Sequence, residues 1–83
     1  MEIVFVESAF IHGYDEDDFL EVLAAHPLKM RSRRGLEGVY EVYGANRAGD
    51  HLHIAYRRRG NETIVFHMRR MSPREKRLYR KNR

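Results

Sequence analysis

The sequence predicts a single α+β domain, a small and mostly antiparallel β-sheet with an N-terminal and a C-terminal helix. Three observations predict it. Two β-rich runs, 51–57 and 63–69, flank Arg59-Gly60-Asn61 and read as a hairpin. Phe19, Val22, Leu23 and His26 fall at i, i+3, i+4 and i+7, the stripe of an amphipathic helix. Ser72-Pro73-Arg74-Glu75 combines a capping box with proline at the first helical position. The 83 residues suffice for one domain over 1–83 and no more.

The elements follow in order. Residues 2–6 are β-rich and predict a short strand. Residues 8–12 form a helical turn ended by Gly13. Asp15 opens a helix, and Glu16, Asp17 and Asp18 favour the positive end of its dipole. His26 lies on the apolar stripe and reads as structural, and Pro27 stops the helix. Residues 28–31 predict an edge strand, Arg33-Arg34-Gly35 a turn, 39–43 a strand and 46–50 a loop. A three-residue hairpin loop pairs 56 with 64, 54 with 66 and 52 with 68. Leu52, Ile54, Tyr56, Ile64, Phe66 and Met68 then face the core. His53 then faces His67, and His51 faces Arg69. The last helix is expected from Pro73 towards Lys81, anchored by Leu78, with both helices on the apolar face of the sheet.

Charge is distributed unevenly. Residues 1–28 carry seven acids and no Lys or Arg, whereas 29–83 carry all sixteen bases against five acids. Eight of those bases lie in 69–83, against the single acid Glu75. Such asymmetry predicts an acidic pole and an anion-seeking surface, with RNA the expected partner. The absence of cysteine excludes disulfides and zinc-finger-type staples. The N-terminus lacks the pattern of a signal peptide, and no run reaches the ~20 apolar residues of a membrane span. A cytoplasmic protein without membrane contact is expected.

The second face of the predicted hairpin carries the chemistry. His51, His53 and Arg57 come from one strand, and His67 and Arg69 from the next. Imidazoles exchange protons near neutral pH, and guanidiniums clamp phosphate oxygens. Metal-independent RNA cleavage needs that combination: a base for the 2′-OH, cations for the phosphorane, an acid for the departing 5′-oxygen. Arg69 with Arg57 is the expected phosphate clamp, His67 or His53 the acid or base, and His12 a third member. Arg58, Arg59, Arg70, Arg74 and Arg77 read as phosphate contacts. Tyr79 reads as a helix residue packed on the sheet, with stacking on a base as the other reading. No carboxylate or cysteine is placed to complete a three-histidine metal site, so neither metal nor cofactor is expected. A non-catalytic nucleic-acid-binding or protein-interaction module and a ribosome-associated basic protein stay open as other readings.

His12-Gly13, the acidic helix ending at Pro27-Leu28, and Met68-Arg69-Arg70-Met71-Ser72-Pro73-Arg74-Glu75-Lys76-Arg77-Leu78-Tyr79 together resemble the BrnT-type toxins. The similarity spans roughly residues 10–80, and its C-terminal piece is the most specific. The matching positions are His12, Gly13, Arg59, Arg69, Glu75 and Tyr79. The chain departs from the family in lacking the opening Trp-Asp-x-x-Lys segment, in Ile11 before His-Gly, in His67-Met68 before the strand-end arginine, and in Ile64 where the family carries an upstream strand arginine. The resemblance implies a RelE-like fold and the toxin of a bacterial type II toxin–antitoxin module. It further implies a ribonuclease that stops translation, acting on free or ribosome-bound RNA. Neutralisation would come from a cognate BrnA-like antitoxin in a toxin–antitoxin hetero-oligomer.

Overall fold

Asp15 starts the first helix as its position predicts. Its carboxylate accepts the Asp18 N–H at 3.2 Å, and the Asp18 carboxylate accepts the Asp15 N–H at 2.9 Å. This reciprocal box satisfies two donors that an isolated helix leaves open. The computed structural model describes residues 2–32 and 34–82. Its elements are β1 (Glu2–Phe5), a 3-10 turn (Glu7–Phe10), α1 (Glu16–Ala24), β2 (Leu28–Arg31), β3 (Val39–Ala45), β4 (His51–Arg59), β5 (Glu62–Arg70) and α2 (Pro73–Lys81). Arg33 of the expected 33–35 turn lies outside the described residues. The five strands form one sheet in the order β1-β5-β4-β3-β2. The sheet is mixed, with β1 parallel to β5 and the other three pairings antiparallel.

The hairpin register differs from the expected one, for two physical reasons. The β4–β5 turn has two residues, not three, because Arg59 pairs with Glu62 across Gly60-Asn61. Gly60 sits at φ 58°, and glycine at the first of two central positions suits the right-handed twist of a hairpin. Further along, Tyr56 pairs with Val65 but Ala55 pairs with His67, so Phe66 is an extra residue in β5. A bulge of this kind shifts the alternation of its strand. Thr63, Val65 and Met68 are therefore the buried core positions, whereas Ile64 and Phe66 are only half-buried. The core expectation holds for Met68 and fails for Ile64 and Phe66. His53 pairs with Arg69 rather than with His67, and His51 with Ala45 on β3.

The two helices cover opposite faces of the sheet, not the same one. Phe19 and Val22 of α1 join Val42, Leu52, Ile54, Tyr56, Val65 and Met68 in one apolar cluster. The approach is close at Gly44, where a Cβ would come within 3.1 Å of Val22 Cγ1 and 3.2 Å of Pro27 Cβ. Leu23 is exposed, and His26 lies beyond the helix end, exposed and at φ 54°, so neither belongs to the buried stripe. The helix stops at Ala24, which leaves His26 outside it. On the other face, Tyr43, Met71 and Tyr79 form a second cluster with Leu28, Met30 and Leu78 around it. Tyr79, not Leu78, is the buried anchor of α2, and burying such a side chain stabilises by about 1.5–3 kcal/mol. Among the described residues no helix is long and apolar enough to cross a membrane.

Candidate active site

The bulge builds the site. A residue unpaired in the ladder leaves its backbone groups to find other partners. The Phe66 carbonyl finds the Ser8 hydroxyl, 2.8 Å away in the 3-10 turn. That turn closes with the Gly13 N–H on the Phe10 carbonyl at 3.3 Å and sets His12 over β5. The His12 and His67 rings lie 5.9 Å apart between centroids, edge to face. His67, next to the bulge, lies 5.3 Å from the His53 ring on β4. The three imidazoles thus form a row across two strands and the turn.

His53 is fixed from behind. It is 93 % buried, its Nε2 lies 2.8 Å from Glu41 Oε1, and the Tyr43 hydroxyl donates to the same oxygen at 3.0 Å. An ionised carboxylate only accepts, so Nε2 carries a proton. Among the described residues its buried Nδ1 has no hydrogen-bond partner. The Tyr43 ring packs on the imidazole at 4.9 Å.

Arg69 lies opposite His53 in the ladder and is fixed from α2. Its Nη1 and Nη2 donate to the two oxygens of Glu75 at 2.6 and 2.8 Å, and Nη1 also donates to the Arg70 carbonyl at 2.9 Å. Glu75 Oε1 simultaneously accepts the Ser72 N–H at 2.8 Å. One carboxylate therefore caps the helix and orients the guanidinium. Burial alone would push this carboxyl up. The hydrogen bonds from Arg69 and Ser72, with the nearby His53 and Arg69 charges, prevail and hold its pKa at about 2. The Glu75 hydrogen bond in turn raises Arg69 further above the neutral range. His67 moves the other way: burial lowers its pKa, and neighbouring His53, Arg69 and His12 lower it further against the opposing pull of Glu75. The result is an imidazole biased towards its neutral form beside a permanent cation.

His53, His67, Arg69 and Glu75 share a cleft of about 470 Å³, whose lining does not include His12. Its polar wall holds Glu41, Tyr43, His53, His67, Arg69 and Glu75, with Ser32 and Arg34 at the side. Leu36, Val39, Ala55 and Phe66 make the apolar wall. The structure brings His53, His67 and Arg69 together and sets His12 against His67. It does not bring Arg57 to them. Arg57 is exposed, lies four residues or ~13 Å along β4 from His53, and is absent from the cleft wall, so the expected Arg57–Arg69 clamp is not formed. Arg70 points to the opposite face, where its Nε donates to the Tyr14 hydroxyl at 2.9 Å and its Nη2 pairs with Asp50 at 3.4 Å. Arg58 and Arg59 are exposed near the hairpin turn, and Arg74 and Arg77 are exposed on α2.

Glu41, Tyr43 and Arg34 are cleft residues that the sequence reading did not single out, Phe66 was read as a core residue, and Glu75 as a cap and a match to the BrnT-type pattern. Glu41 and Tyr43 alternate with the buried Val42, which marks them as sharing one face of β3, but only the pairing of β3 with β4 reveals which face. Among the described residues no group of three or more His, Asp or Glu is placed to hold a metal ion. Comparison of the chain with protein-family models, with curated proteins and with solved structures finds no match.

Proposed function

We propose that this chain is an endoribonuclease that cleaves RNA by attack of the ribose 2′-OH, without a metal, on a RelE-like scaffold. The observation that carries the reading is His67, biased to its neutral form, beside Arg69, held charged by Glu75, in one cleft. A neutral imidazole accepts the 2′-OH proton as O2′ attacks phosphorus. The guanidinium stabilises the charge that develops on the phosphorane through Nε–H and the second Nη2–H, the two donors left over by its bonds to Glu75 and the Arg70 carbonyl. The P–O5′ bond breaks, and His12, exposed on the far side of His67, gives its proton to the leaving 5′-oxygen. The products are a 2′,3′-cyclic phosphate and a 5′-OH end. His53, 93 % buried and held by Glu41 beside His67, serves as a positioning residue.

The resemblance to BrnT-type toxins supports placing this activity in a toxin–antitoxin module, in the cytoplasm, with a BrnA-like antitoxin as partner. Induction of the chain alone should then arrest growth, and the product of a neighbouring small gene should relieve the arrest. In vitro, His67→Ala should lose about 10²–10⁴-fold in cleavage rate while RNA binding and folding persist. Wild-type protein that binds RNA but never cuts it, with or without ribosomes, would replace the enzyme by a binding module.

A further inference from the structure

Phe66 is a large aromatic side chain that lies outside the apolar clusters of the fold. It is half-buried, and among the described residues no other ring stacks on it. Counted back from the buried Met68, strict alternation would have set it in the core, where burial stabilises by about 1.5–3 kcal/mol, whereas counted on from the buried Val65 it faces the cleft. The bulge forgoes that gain, and it is anchored rather than accidental, because Ser8 satisfies the carbonyl it frees. Bulges beside functional sites re-aim side chains. Here the residue re-aimed is the next neighbour of His67, and it lines the cleft with Leu36 and Val39.

The volume of that cleft exceeds what a phosphodiester needs. A phosphate at Arg69 and His67 leaves the apolar wall open to whatever is attached to it. Chain charge and the cations of the cleft favour a nucleotide, and the part of a nucleotide that suits an aromatic wall is the face of its base.

We propose that this wall is a nucleobase subsite: one base of single-stranded RNA, next to the scissile phosphate, stacks on Phe66. The proposal rests on the ribonuclease reading for its substrate and deepens it. A π-face is common to all four bases, so stacking here is tolerant of sequence. It requires an unstacked base, so single-stranded RNA is preferred to duplex.

The test measures binding, not cutting. Fluorescence anisotropy would use a short RNA made uncleavable by 2′-O-methylation, and the same RNA with an abasic site at each position in turn. Phe66→Ala should weaken binding by roughly 5- to 150-fold, the range of aromatic–base stacking. One abasic position should weaken wild-type binding similarly and leave Phe66→Ala unaffected, the non-additivity of two groups in contact. Phe66→Tyr should bind as wild type, and Phe66→Leu, which keeps apolar bulk without a ring, should bind like the alanine variant. Thermal unfolding of each variant checks that it folds. Equal binding by wild type and Phe66→Leu, or additive losses in the cycle, would overturn the subsite. Because the probe is uncleavable, a chain that obeys the cycle yet never cuts natural RNA keeps the base subsite and loses the ribonuclease reading.

Discussion

The Ser8 hydroxyl donates to the Phe66 carbonyl at 2.8 Å, and this bond joins the turn that carries His12 to the bulge that turns Phe66 and His67 into the cleft. Residues 58 positions apart in sequence thereby set one geometry. Ser8→Ala should cost about 0.5–1.5 kcal/mol in urea unfolding, the net contribution of one such bond. It should also lower kcat more than it raises KM, because His12 loses its anchor. Ser8→Thr should restore both. Lost stability with kcat unchanged would mean that the turn does not position His12.

The Arg69–Glu75 pair gives an acid-stability prediction. The Glu75 carboxyl is held at about 2, below its ordinary 4.5, so the unfolded chain binds its proton first as pH falls. The stabilisation is fully present above about pH 4.5 and is lost as pH drops towards 2. It should amount to roughly 1–3 kcal/mol, after allowance for the partly exposed guanidinium. Urea midpoints measured from pH 6 to pH 2.5 should fall less steeply for Glu75→Gln than for wild type. Arg69→Ala and Glu75→Ala should each destabilise, and the double variant should lose less than the two together.

His67 should titrate below its ordinary 6.5 in the folded chain, because burial and repulsion from His53, Arg69 and His12 oppose its charging. Folding stability from this group is therefore present above pH 6.5 and declines as pH falls through the window below it, where only the unfolded imidazole takes up a proton. The acid limb of kcat/KM should share that midpoint. Titration of the ring protons by NMR would follow it directly. His53→Gln removes the second-largest cause and should move the midpoint up. A midpoint at or above 6.5 in wild type would remove the argument for His67 as the base.

Salt dependence should sort the arginines. Each phosphate contact on a single strand contributes about 0.7 to the slope of log K against log salt. Arg74→Ala or Arg77→Ala should flatten the slope by about that amount, whereas Arg70→Ala should not, because Arg70 faces away and binds Tyr14 and Asp50. An unchanged slope in both α2 variants would move the RNA surface elsewhere.

The sequence was legible where the signal was local. The acidic cap at Asp15, the Ser72–Glu75 box and the strand at Leu28–Arg31 are decided by neighbours in the chain, and each element stands where its residues predict. His53, His67 and Arg69 could be placed on one face because the bulge lies on the turn side of His67 and leaves the alternation of 67–69 intact. Ile64 could not be placed because the turn has two residues rather than three, and Phe66 because an extra residue in β5 is stabilised by Ser8, a partner that no local pattern points to. Arg57 was misjudged for a different reason: shared alternation fixes a face but not a distance along it. The carboxylates were hidden because Glu75 has a sufficient local role as a cap, and Glu41 meets His53 only through the pairing of β3 with β4.

The roles of His67, Arg69 and His12 stand or fall with whether this cleft cuts RNA by 2′-OH attack. The direct measurement is cleavage of a labelled RNA in EDTA, with the same RNA carrying one 2′-deoxyribose at the cut site, and with the ends of the products identified. Cutting should persist in EDTA, stop at the deoxy position, and leave 2′,3′-cyclic phosphate and 5′-OH ends, with His67→Ala slower by about 10²–10⁴-fold. Cutting that EDTA abolishes, or that proceeds at the deoxy position, would contradict the roles assigned to His67, Arg69 and His12.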